Sequence, residues 1–212
     1  MSAARFVGQI RMASRVLDVC GRPLVMGVLN VTPDSFSDGG DFFEPDAAVR
    51  QAERMIRQGA DIIDVGGEST RPGSQPTPAD EQIRRTVPVL ERIRARDRQI
   101  VLSIDTRCAA VARAGLEAGA DMVNDISALR DDPAMAELVA RRGAAVVLMH
   151  MKGTPATMQN RPVYRDVVAE VCQFLQQRVA AAVAAGIRRQ SIVIDPGIGF
   201  GKTTKHNLQL LG

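Results

Sequence analysis

The residues that most constrain this chain are the polar ones that end its short apolar runs. Leu24–Leu29 is an unbroken apolar stretch, too short for a helix, and it ends at Asn30. It reads as a strand buried on both faces. The layout recurs: Ile62-Ile63-Asp64-Val65 leads into a glycine-rich loop, Ile100–Ile104 ends at Asp105, and Met122-Val123 ends at Asn124-Asp125. Ala145–Leu148 then ends at Met149-His150, and Ile192–Ile194 ends at Asp195. Between these runs lie segments with apolar residues at helical spacing, such as Val49, Ala52, Met55 and Ile56, and the long stretch 166–185. Helix-to-strand turns carry Gly59, Gly119, Gly143 and Gly186, each suited to the left-handed position that closes a helix.

Strand and helix in alternation predict a parallel sheet with right-handed crossovers, so the strand C-termini share one edge. That edge gathers Asn30, Asp64, Asp105, Asn124, Asp125, His150 and Asp195, where a (β/α) barrel or a doubly wound sheet places its site. Gly197, Gly199 and Gly201 give G-x-G-x-G, which is not a dinucleotide fingerprint. Pro196 stands where a P-loop needs its first glycine, so Lys202-Thr203 does not complete one. Residues 1–23 suggest a small hairpin or irregular cover, and Pro88 suggests a kink or break in the helix spanning 79–96.

With 212 residues, 45% apolar and 24% charged, the chain reads as one globular domain, residues 1–212. The net charge of +3 comes without a polybasic block, which argues against nucleic acid. No run reaches membrane-spanning length, and the three cysteines, Cys20, Cys108 and Cys172, are unpatterned. A reduced cytoplasmic setting is the simplest expectation.

Three features suggest chemistry. The loop 66–74 offers backbone access at Gly66 and Gly67 and donors at Ser69, Thr70 and Arg71, and arginine suits bidentate phosphate contact. A flexible connecting loop is an equal reading of that composition. Asp105 and Asp195 each follow an apolar run, as carboxylates facing a wet pocket do, and suit a ligand with adjacent N–H donors. A helix cap is the competing role for Asp105. Asp64 either points into the interior or pairs with a base. Met149 and Phe200 are either core or the walls of a flat apolar pocket. His150 reads as structural or solvated.

Met26–Gly40, Asp61–Gly73 and Asp195–Lys202, taken in this order, make the chain resemble the dihydropteroate synthases, of the pterin-binding (β/α) barrel superfamily. The resemblance implies a (β/α)8 TIM barrel, with about six of the eight β/α units present. It implies condensation of 6-hydroxymethyl-7,8-dihydropterin diphosphate with p-aminobenzoate, giving 7,8-dihydropteroate and pyrophosphate in folate synthesis, with sulfonamides competing for the p-aminobenzoate site. It further implies Mg²⁺ held through Asn30, with Thr70 and Arg71 on the pyrophosphate side. Asp105, Asn124 and Asp195 would hydrogen-bond the pterin, Met149 and Phe200 would line it, and Phe36 and Pro72 would help close the p-aminobenzoate pocket. Arg71, Asp105 and Asp195 are the implied catalytic residues. The full-length family member is expected to form a homodimer, with no nucleic-acid or membrane partner.

The family's later Ser-Arg-Lys-like loop and Arg-x-His element have no counterpart here. The chain is therefore expected to be C-terminally incomplete and, taken alone, without synthase activity. The alternatives are a non-catalytic pterin-binding paralogue or truncated product, and a methyltetrahydrofolate-handling methyltransferase, against which the loop 32–40 argues.

Overall fold

The computed structural model describes residues 8–32, 45–69, 76–154, 157–158 and 162–212. The N-terminal segment is a hairpin of β1 (Gln9–Arg11) and β2 (Val16–Asp18), paired antiparallel. Six strands follow: β3 (Met26–Asn30), β4 (Ile62–Gly66), β5 (Val101–Asp105), β6 (Met122–Asp125), β7 (Ala145–Met149) and β8 (Ile192–Asp195). They form one parallel sheet in sequence order. Between and after them run α1 (Pro45–Arg57), α2 (Ala79–Arg96), α3 (Ala109–Glu117), α4 (Ala134–Arg142), α5 (Val167–Ala184) and α6 (Thr204–Leu211). This is the α/β architecture that the alternation predicts. Among the described residues the sheet is open, with β3 and β8 as its edges.

The period-2 alternation of strand side chains sorts the sheet into two faces. Leu29, Ile63, Val65, Leu102, Ile104, Val123, Val146 and Leu148 pack outward with the helices in one continuous core. Each such fully buried aliphatic side chain contributes about 1.5–3 kcal/mol. The helices meet them with small residues, Ala48 and Ala52 on α1 and Ala109 and Ala112 on α3, which lets backbone approach sheet. On the other face Ile62, Val101, Met122, Ala145 and Val147 form a second cluster, joined by Met12 from the hairpin. The hairpin thus covers the apolar lower half of the inner face, and the polar residues are left to the upper half.

Several details depart from the sequence-level reading. Each strand extends through its terminal polar residue, because Asn30, Asp105, Asn124 and Asp195 still hold ladder positions. Helix α2 runs unbroken through Pro88. The carbonyl that proline leaves without a donor belongs to exposed Arg84, on the solvent side of the helix. Asp105 does not cap α3: Cys108 holds that place, and Asp132 Oδ2 accepts from the Ala109 N–H at 2.7 Å. No helix among the described residues is long and apolar enough to cross a membrane.

Candidate active site

Register brings the strand-end residues into rows. Asn30 pairs with Gly66, Gly66 with Asp105, and Asp105 with Asn124, so four inward positions stand side by side across β3 to β6. Gly66 matters by what it lacks. A Cβ there would lie 3.3 Å from Asp105 Oδ2 and 3.5 Å from Asn30 Oδ1. The missing side chain leaves one open space faced by both oxygens, with exposed Asn30 on its rim.

One layer below, Asp64 pairs in register with Ser103. Asp64 is 2% exposed, and its Oδ2 accepts from Asn124 Nδ2 at 2.8 Å. Its Oδ1 and the Ser103 hydroxyl are buried without hydrogen bonds of their own. Burial raises the Asp64 carboxyl above the usual carboxylate range, opposed by the nearby Ser103 hydroxyl and Asn124 amide. Asp105 is raised well above that range, first by burial and then by the charges of Asp64, Asp125 and Glu68; Arg107 opposes them. Arg107 bridges Glu68 at 3.2 Å and Asp131 at 2.8 Å on the flank of this group. A crowd of carboxyls held at a desolvated strand edge is suited to grip a flat ligand rich in N–H donors, or to stabilise positive charge on it.

The wall comes from β6, β7 and β8. Ile126, Met149, Met151 and Met158 form a buried cluster against which Phe200 packs. Asp195, at the end of β8, accepts from the Gly197 N–H at 2.6 Å through Oδ1, and its backbone carbonyl accepts from His150 N–H at 2.9 Å. The loops after β7 and β8 are therefore tied together where the apolar wall meets the acids.

Of the residues singled out in the sequence, Asn30, Asp105 and Asn124 share one register row. Met149 and Asp195 are register partners on the adjoining strands, with Phe200 against the buried cluster that contains Met149. Phe36, Thr70, Arg71 and Pro72 lie outside the described residues. One residue of the site was read with its place left open, and another escaped the sequence reading. Asp64 was placed at the strand-end edge, either pointing into the interior or paired with a base, and the structure bears out the interior place, on the same face as Asp105. Lys202 was weighed only as part of a P-loop, yet it is 3% exposed. Its Nζ sits 2.9 Å from Gly197 O, 3.0 Å from Phe200 O, 3.2 Å from His150 O and 3.0 Å from His150 Nδ1.

No cluster of three or more histidine, cysteine or carboxylate ligands exists among the described residues. A fully protein-caged metal is thus not built there. Asn30 offers a neutral, exposed oxygen at an open rim. That suits a hard cation arriving with a polyphosphate and keeping most of its own water, the usual habit of Mg²⁺.

Residues 26–212 match the family model described as pterin binding enzyme. The chain is 53% identical over 188 residues to the dihydropteroate synthase of Mycobacterium leprae, covering 88% of this chain and 66% of that one. With the dihydropteroate synthase of Synechocystis sp. the identity is 47% over 190 residues, 90% of this chain and 65% of the other. The chain therefore spans about two thirds of the length of these curated relatives. Among solved structures, the dihydropteroate synthase of Xanthomonas albilineans with 4-aminobenzoic acid superposes with a TM-score of 0.88 at 48% identity, over 97% of this chain and 72% of that one.

Proposed function

This chain belongs to the family of pterin-binding enzymes, and from that premise we propose that its strand-end site carries out the dihydropteroate synthase reaction. The observation that carries the proposal is the row Asn30–Gly66–Asp105–Asn124 facing the Met149, Asp195 and Phe200 wall. A pterin presents a flat ring with an edge of N–H donors. Asp105, Asn124 and Asp195 supply acceptors for that edge, and Met149 and Phe200 supply the apolar faces.

In the reaction the bond between the pterin methylene carbon and the diphosphate oxygen breaks, and its electron pair leaves with pyrophosphate. The carbon, left electron-poor, is attacked by the amine nitrogen of p-aminobenzoate, which then gives up a proton. The carboxylates of Asp105 and Asp195 stabilise positive charge spread over the ring. Thr70 and Arg71 receive the negative charge gathering on the departing diphosphate, with Phe36 and Pro72 closing over p-aminobenzoate. Mg²⁺ held through Asn30 would neutralise diphosphate charge when bound. No covalent nucleophile is required. The name of the Xanthomonas structure, with 4-aminobenzoic acid bound, supports the second substrate.

The test pairs two measurements: pterin binding by this chain, and turnover by a full-length form that carries the family's later Ser-Arg-Lys-like loop and Arg-x-His element. Titration calorimetry with 6-hydroxymethylpterin should show saturable binding. Pyrophosphate release from the pterin diphosphate should depend on added p-aminobenzoate and on Mg²⁺. Binding without p-aminobenzoate-dependent release would instead mark a non-catalytic pterin-binding protein.

A further inference from the structure

The loop after β8 lies hard against the loop after β7. A Cβ on Gly197 would stand 2.0 Å from His150 O, and one on Gly201 would stand 2.6 Å from Lys152 O. Both glycines have positive φ, 67° and 66°. Only backbone without side chains comes this close. The approach crowds the carbonyls of His150, Gly197 and Phe200 around one point. Three converging carbonyl dipoles repel each other unless a donor or a cation sits among them.

Lys202 Nζ occupies that point, within 3.2 Å of all three oxygens and 3.0 Å from His150 Nδ1. The ring nitrogen must be accepting, so the imidazole there is neutral. Burial and the neighbouring Lys202 charge hold His150 down to about 4, in keeping with that role. The residues on which this ammonium acts are the immediate neighbours of Asp195 and Phe200, and Met149 Cγ lies 3.2 Å from the Cβ position of Gly197.

Resting on the pterin reading above, we propose that Lys202 is a positioning residue: its caged ammonium fixes the loops after β7 and β8 so that Asp195 and Phe200 face the pterin. It touches no substrate itself. A buried ammonium is a poor choice for stability alone. Burial lowers Lys202 to about 8, opposed by the Asp195 charge. The cost is met in return for loop geometry.

The two roles separate by experiment. Lys202→Met keeps the length and removes the charge; Lys202→Gln keeps two N–H donors. Each is compared with the unmodified protein by thermal melting and by titration with 6-hydroxymethylpterin. For Lys202→Met, which leaves three converging carbonyls without a donor, we expect a lower melting temperature and a pterin affinity lower by about tenfold or more, the scale of one hydrogen bond to a charged group. Lys202→Gln keeps donors for the carbonyls and should hold the parental melting temperature while still weakening pterin affinity. Should Lys202→Met fail to fold, Lys202→Gln decides: weakened binding at an unchanged melting temperature supports the proposal. Parental affinity in either folded variant overturns it. So does a parallel fall of melting temperature and affinity in both, which leaves Lys202 a plain stability role. If the unmodified protein binds no pterin, the functional reading itself fails and this inference goes with it.

Discussion

Asn124 Nδ2 donates to Asp64 Oδ2 at 2.8 Å, joining the upper row of the site to a carboxyl buried one layer beneath it. The bond orients the Asn124 amide and gives Asp64 a hydrogen-bond donor in the interior. It also keeps a second carboxyl close to Asp105, whose own acidity is weakened in part by Asp64. Asp64 therefore acts on the site through both of its neighbours.

Replacing Asp64 with Asn should accordingly lower the Asp105 pKa, because one of the negative charges that raises it is gone while burial remains. Carboxyl ¹³C titration of Asp105 in the two proteins checks this. An Asp105 midpoint that does not move would show that the Asp64 charge does not contribute to it. Asn124→Ala should cost about 1–3 kcal/mol of stability, since it strips the Asp64 carboxyl of its amide donor.

Asp195→Asn should weaken pterin binding by about 1.5–3 kcal/mol, the range for a hydrogen bond to a charged group. The Gly197 N–H already occupies Oδ1. An asparagine that keeps that bond turns its amide NH₂ toward the ligand's N–H edge, donor against donor. Titration calorimetry with 6-hydroxymethylpterin measures the loss, and a melting curve confirms that the fold is kept. Unchanged affinity would remove Asp195 from the pterin site.

The alternation of six apolar runs with helical segments is legible in the sequence because parallel strands buried on both faces need little polar patterning. The sequence also places Asn30, Asp105, Asn124 and Asp195 at one edge, since right-handed crossovers leave no other arrangement. What it does not show is register. Asp64 belongs to the site only because Val28, Asp64 and Ser103 align across β3 to β5. Lys202 was hidden for another reason: three of its four partners are backbone carbonyl oxygens, and no side-chain pattern marks them. Pro88 does not break the helix, because the energetic penalty of a proline depends on which face of the helix loses its bond.

The glycines of the loop after β8 should differ sharply. Gly197→Ala places a methyl 2.0 Å from His150 O, a backbone atom that cannot step aside. Gly199 has φ 85° and open space around its Cβ position, so alanine there meets only left-handed strain. We expect Gly199→Ala to cost about 1–2 kcal/mol and Gly197→Ala distinctly more, with loss of pterin binding. Urea unfolding of both variants checks the order. Equal costs would mean that the two loops are not locked together.

His150 makes the fold sensitive to mild acid. Its folded pKa of about 4 lies below the ordinary value of 6.5. As the pH falls from 6.5, the unfolded chain takes up a proton that the folded chain refuses until about pH 4. Stability therefore drops across that window by about 2–3 kcal/mol and levels off below it; above pH 6.5 the residue adds no pH dependence. Urea midpoints between pH 7 and 4.5 for the parent and for His150→Gln should diverge as the pH falls. Parallel curves would show that His150 does not titrate out of register with the unfolded state.

The turn that follows Asn124 holds two non-glycine residues in the left-handed region, Ala128 at φ 54° and Leu129 at φ 62°. Such strain persists only where neighbours enforce it. Two do so here. Asp125 accepts from the Ser127 N–H at 2.8 Å and the Leu129 N–H at 2.9 Å. From the other side Arg178, on α5, donates through Nε to Ala128 O at 2.7 Å and through Nη2 to Leu129 O at 3.3 Å. The guanidinium fork spans both carbonyls at once, which a lysine cannot do. Arg178→Ala should let the turn relax, destabilise the protein by about 1–3 kcal/mol and disturb the Asn124 amide while leaving Asp105 and Asp195 unchanged. Arg178→Lys should recover only part of the loss. The ¹⁵N resonances of the Asn124 side chain, followed with urea stability, provide the check. A destabilised Arg178→Ala with an unshifted Asn124 amide would confine the strained turn to packing.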